Sequence, residues 1–160
     1  MQVSDCYDML INYLRKSNFE IIFSEESEKI ANGESFFCPS EKKVKIPSKN
    51  VVCKSGEMYF LSTAIHECVH STMIFLNREP ENSSEGYAYE EMVAEIGATV
   101  MLKQIVFPTN VEKILALKNA TYVSCFNKNV AELEQIPKLR KALNEAKKAV
   151  EYILKVGGNN

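Results

Sequence analysis

The stretch His66-Glu67-Cys68-Val69-His70 sets the two histidines of the chain, its only two in 160 residues, four positions apart with a glutamate after the first. Simple counting on this motif gives roughly one shuffled arrangement in a thousand. The spacing constrains the fold before any other feature does. Residues i and i+4 lie one turn apart on one face of an α-helix, so the segment must be helical if both imidazoles are to reach one ion. Zinc accepts nitrogen ligands at about 2.0–2.1 Å in a tetrahedral shell, and Zn²⁺ is the expected cofactor. Glu67 stands about 100° further round the helix. There it is badly placed as a third ligand and well placed to hold a metal-bound water. Two ligands and a general base from one helical turn is the layout of a zinc hydrolase.

A third ligand is then required. Downstream runs Tyr87-Ala88-Tyr89-Glu90-Glu91-Met92-Val93-Ala94-Glu95-Ile96-Gly97-Ala98, whose apolar spacing reads as helical. Glu91 and Glu95 are again i and i+4. One carboxylate can bind the metal, and the other can accept the free ring N–H of a ligating histidine, which fixes its tautomer. We assign Glu91 to the metal and Glu95 to the supporting role, with the adjacent Glu90 as the competing choice. Taken alone, the same helix would also read as a solvated acidic face. A Glu followed four residues later by a second acid, after H-E-x-x-H, resembles the gluzincin arrangement of thermolysin-like peptidases.

Longer stretches carry a second resemblance. Phe36-Phe37-Cys38-Pro39-Ser40-Glu41-Lys42-Lys43-Val44-Lys45-Ile46-Pro47 is similar to the Y-x-P-x-x-D-x-I-x-L-P segment of the ArdC-type zincin-like metallopeptidase domain. The H-E-x-x-H helix, Arg78 and a Y-A-x-E-E-x-V-A-E-I-G-A block at Tyr87–Ala98 follow in the family's order. Tyr122-Val123 and a closing helix ending Ala149-Val150-Glu151-Tyr152-Ile153 are similar to its final elements, so the resemblance spans residues 34–154. It implies an α+β zincin-like fold and a link to plasmids, phages and escape from host restriction. Two departures stand out. The family follows its second histidine with Trp-Thr-Gly, whereas this chain has Ser71-Thr72-Met73. ArdC-type proteins also carry an N-terminal single-stranded-DNA-binding domain, and roughly 33 residues are too few for one. A single domain over residues 1–160 is therefore expected, and DNA binding is not carried over.

Charge agrees with that choice. A net charge of −2 argues against a phosphate-binding surface over the whole molecule. Lysines gather at Lys42, Lys43, Lys45, Lys49 and Lys54, and basic residues again at Lys138–Lys148; both read as solvated faces, leaving nucleic acid the less favoured partner beside a protein or peptide substrate. The five cysteines, Cys6, Cys38, Cys53, Cys68 and Cys125, are odd in number and form no C-x-x-C pair, so they make neither a disulfide framework nor a Cys₄ site. Their use suggests a reducing compartment, and with no signal peptide and no apolar run near 18 residues the expected location is cytoplasmic. Cys68 sits on the helix side opposite the histidine pair and is expected in the core. Oligomeric state is not readable.

The strands precede the helices, a pattern of the α+β class. Residues 4–16 read as an amphipathic helix, Phe19–Phe23 as a strand, and Ser35–Cys38 and Lys43–Ile46 as strands around a Pro39-Ser40 turn. Ser55 is the expected N-cap of a motif helix reaching Ile74. A helix is expected from Glu85 to Ile105, others at Asn110–Asn119 and Tyr122–Lys128, and a last one from Pro137 to Val156. The chemistry expected is amide hydrolysis, with Glu67 taking a proton from the zinc-bound water and passing it to the leaving amine. Tyr87 is the first choice for stabilising the oxyanion and Tyr122 the second. Arg78 is assigned to a substrate carboxylate, although an ion pair to a nearby Glu, the competing role, is the commoner one for an arginine. The alternatives are a binding module whose metal only staples the fold, and an antirestriction protein that acts by binding DNA or an enzyme.

Overall fold

The computed structural model describes residues 1–55, 58–79, 82–105 and 132–158. The first helix, α1 (Val3–Lys16), buries Leu10, Tyr13 and Leu14 on one side and places Asp5 in its first turn and Arg15 and Lys16 in its last, matching the helix dipole at both ends. It ends in a Schellman turn. Phe19 N–H donates to the Leu14 carbonyl and Asn18 N–H to that of Arg15, with Asn18 at φ 57°, a left-handed conformation that asparagine tolerates. The turn delivers the chain into β1 (Glu20–Ser24), followed by α2 (Ser27–Ala31), β2 (Phe36–Cys38) and β3 (Lys43–Pro47).

These strands form one sheet in the order β1-β3-β2. β3 lies in the middle, parallel to β1 with Ile21 beside Val44 and Phe23 beside Ile46, and antiparallel to β2 with Phe37 beside Val44. The alternation expected for β3 is present, with Val44 and Ile46 fully buried. They face α4 (Met58–Ser71), which packs between the sheet and α6 (Ser84–Ile105). The final helix, α7 (Glu132–Gly157), lies on α6 and α1 through Ala142, Ala146, Ala149 and Val150, all without solvent exposure. Small residues let these helices approach closely. A glycine permits one such approach between α4 and α6, where a Cβ on Gly97 would stand 2.8 Å from Val69 Cγ2.

The architecture is α+β with a small sheet and a mainly helical remainder, as expected. Several boundaries differ. Residues Lys49–Ser55 form a separate helix, α3, so Ser55 belongs to that element and α4 begins at Met58. α4 stops at Ser71, and Met73–Leu76 make a separate turn of helix, α5. Thr72 divides them, its hydroxyl donating to the Val69 carbonyl, a side-chain bond that competes with helix continuation. α7 starts at Glu132 and holds Pro137 inside it, at the cost of the backbone bond that proline cannot donate. The helices expected at 110–119 and 122–128, with Tyr122 and Cys125, lie outside the described residues. No helix among the described residues is long and apolar enough to cross a membrane.

Candidate metal centre

His66 and His70 occupy the middle and last turns of α4, and both are buried. Helical spacing brings their rings within 4.6 Å, centroid to centroid, with Nε2 of one 3.0 Å from Nε2 of the other. α6 crosses the same face of α4 and supplies Glu91, whose Oε2 lies 3.4 Å from His66 Nε2 and whose Oε1 lies 3.2 Å from His70 Nε2. Two nitrogens and a carboxylate thus converge on one point, with ligand atoms mutually within 4.8 Å. A tetrahedral ion with bonds of about 2.0–2.1 Å separates its ligand atoms by about 3.3 Å. The observed edges of 3.0, 3.2 and 3.4 Å match that spacing, so this donor set fits a small divalent cation.

The outer ring nitrogens are also occupied. Glu95 Oε1 stands 3.0 Å from His66 Nδ1 as an ion-pair contact, and among the described residues neither this nitrogen nor Glu95 Oε2 has a hydrogen-bond partner. On the other ring, Glu90 Oε1 lies 3.3 Å from His70 Nδ1. Each imidazole therefore has a carboxylate on its Nδ1 side, an arrangement that leaves Nε2 for the metal. The electrostatics follow. Burial pushes the His66 imidazole down, but the adjoining carboxylates of Glu91 and Glu95 and the charge of Glu67 outweigh it and bring the ring up to about 9. His70 moves the same way: burial opposes its charge, and Glu90 and Glu91 prevail. Burial disfavours ionised Glu91, yet bonds from both histidines hold it well below the usual carboxylate range.

Glu67 is buried on α4 beside this cluster, and its charge acts on both His66 and Tyr87. Tyr87 opens α6 one turn before Glu91 and is 67% exposed. The charge of Glu91, then partial burial and a hydrogen bond to that carboxylate, raise its phenol, so it keeps its proton at neutral pH. Cys68 points into the core with no exposure, and burial pushes its thiol well up; it is a packing residue.

Arg78 differs from its expected place on a substrate. The residue is 8% exposed, and its guanidinium is committed internally. Nη2 donates to Glu90 Oε1 at 2.8 Å and to the Val69 carbonyl at 2.9 Å, Nε to Glu90 Oε2 at 3.2 Å, and Nη1 to Thr72 Oγ1 at 2.7 Å. The competing role, an ion pair with a nearby glutamate, is the observed one. Glu90, the rival for the metal position, instead faces His70 and Arg78. No periodicity distinguishes these roles, because Glu90 and Glu91 differ by one helical step and only the packing of α6 on α4 decides which meets Nε2. In the first lysine cluster, Lys43, Lys45 and Lys49 are paired with Glu41, Glu34 and Asp8, so this face is not a stripe of free cations.

Comparison with known proteins agrees with this geometry. Residues 17–132 match the MPTase-PolyVal family of zincin-like metallopeptidases. Comparison with curated proteins finds no match. Among solved structures, the Mn(II)-bound antirestriction ArdC protein from the R388 plasmid is similar, with a TM-score of 0.52 at 18% identity over 94% of this chain. The chain spans 52% of the length of that protein, and the likeness is one of fold. Helix-borne histidines with a glutamate from a crossing helix, a sheet ahead of them and a family match over most of the length lead to one conclusion: the chain belongs to the zincin-like metallopeptidases.

Proposed function

We propose that this chain is a metal-dependent peptidase of the ArdC type. The observation that carries the reading is the convergence of His66, His70 and Glu91 beside the buried Glu67. Three protein donors among the described residues, where a structural zinc site commonly uses four, favour a site with an open position over a staple. A divalent cation held there would lower the pKa of water and polarise a scissile carbonyl. Glu67 takes the proton of the attacking water and returns it to the leaving amine. Tyr87, one turn from Glu91 and still protonated at neutral pH, donates to the developing oxyanion. Glu95 holds the His66 ring from behind. The family points to zinc, while the similar ArdC structure is described with Mn(II), and two nitrogens with one carboxylate suit either ion. The substrate class is protein or peptide, and the setting proposed from the family resemblance is antirestriction on a mobile element.

Glu67→Gln tests the reading. The variant should bind the metal as the parent does and lose about 10²–10⁴-fold in cleavage of a fluorescently labelled casein. Metal content by mass spectrometry and hydrolysis rate are measured on the same samples. Undiminished hydrolysis by the variant would assign the cleavage to another source. If neither protein cleaves and both hold one metal per chain, the stapled binding module becomes the better account.

A further inference from the structure

We propose that Arg78 and Glu90 form a positioning arm that orients His70, a role that rests on the metal-site reading above and extends it. The chain after α5 passes through Asn77 in the left-handed region, at φ 51°. This bend returns Arg78 over the end of α4, where its own N–H donates to the Met73 carbonyl at 3.1 Å. Its guanidinium then spans two elements. Toward α4 it holds the carbonyl of Val69, the residue immediately before His70, and the hydroxyl of Thr72. Toward α6 it grips both oxygens of Glu90. Glu90 Oε1, fixed in this way, is the atom that meets His70 Nδ1 at 3.3 Å.

The consequence is a definite tautomer. With a carboxylate oxygen on Nδ1, the neutral ring that binds a metal keeps its proton on that side, and its Nε2 lone pair is left for an ion shared with Glu91 and His66. The two histidines are served unequally. Among the described residues Glu95 Oε2 has no hydrogen-bond partner, whereas Glu90 is clamped on both oxygens. His70 is thus the rigidly presented ligand, and the clamp ties its backbone and its ring to the same guanidinium. Stability alone is a weak reason to bury such a pair, because desolvation of both charges offsets much of their attraction. A lysine would carry the charge without the two-pronged fork.

The test uses the full chain and Zn²⁺ alone, competed against a chromophoric chelator. Four variants are compared with the parent: Glu90→Gln, Arg78→Lys, Arg78→Met and the double Glu90→Gln/Arg78→Met. Orientation through Glu90 predicts that Glu90→Gln lowers zinc affinity about 10- to 100-fold and speeds solvent exchange of the His70 Nδ1 proton, read by ¹⁵N-edited NMR of the loaded protein. Arg78→Lys should fall between parent and Arg78→Met. The double variant separates orientation from structure, since it removes the unpaired buried charge left by either single change. It should regain thermal stability relative to Arg78→Met and still bind zinc weakly. Recovery of both stability and affinity in the double variant, or parental affinity in Glu90→Gln, would overturn the proposal. Should Arg78→Met fail to fold, Glu90→Gln and the ring-proton signal decide alone. A parent protein that takes up no zinc would instead overturn the metal-site reading, and the arm with it.

Discussion

Taking up a cation at neutral pH means expelling a proton from His66. Burial alone would leave that ring neutral, but Glu91, Glu95 and Glu67 bring it up to about 9, so metal and proton compete for the same nitrogen. The apparent zinc affinity should therefore rise between pH 6.5 and 9 and level off above, as measured by chelator competition at constant ionic strength. An affinity flat across that window would show the ring already neutral. The same shift acts on metal-free stability. The folded pKa lies above the ordinary value of 6.5, so this contribution is complete below pH 6.5 and is lost as pH rises through about 9. Zinc-loaded protein should not show that loss. At this scale the convergence of His66, His70 and Glu91 was legible in the sequence, because i,i+4 spacing already fixes which side chains share a face. The sequence was a poor guide to Glu90 and Arg78. Their partners depend on the rotation of one helix against another and on a left-handed bend at Asn77, neither of which leaves a periodic mark.

The centre exists because α4 and α6 approach closely at Val69 and Gly97. Gly97→Ala would place a methyl 2.8 Å from Val69 Cγ2, and such overpacking costs about 1–3 kcal/mol. Val69 adjoins His70, and Gly97 stands two residues past Glu95, so the separated helices should lose zinc affinity as well as thermal stability. The double change Gly97→Ala/Val69→Ala should recover part of both, measured by thermal unfolding and zinc titration; no recovery would place the damage elsewhere. α1, α4 and α6 were legible from their apolar stripes, and β3 from the strict alternation of Val44 and Ile46 with lysines. α2 and α3 were not. Each is at most seven residues long, too short for a helical period to separate from a loop. The parallel pairing of β1 with β3 was equally hidden, because strand partners are chosen by tertiary packing, here that of a central strand whose Val44 and Ile46 are buried against α4.

Across the whole molecule, a ligand that binds only the folded chain stabilises it by mass action. At a thousandfold excess of zinc over its dissociation constant the gain is about 4 kcal/mol, or a rise of about 8–16 °C for a domain of this size. Differential scanning calorimetry with and without chelator reads this directly; coincident transitions would mean the folded site holds no metal. The α+β class followed from the order of strands and helices, while the wrapping of α7 against both α1 and α6 could come only from the structure. The charge around the metal centre also selects what can approach it. With metal bound and both histidines neutral, Glu67, Glu90, Glu91 and Glu95 stand against the guanidinium of Arg78 among the described residues, four negative charges to one positive. Even a bound dication leaves the balance negative. Such a field draws cations inward and repels anions. Peptides with Asp or Glu beside the scissile bond should be disfavoured relative to those with Lys or Arg there, and added salt should narrow the gap.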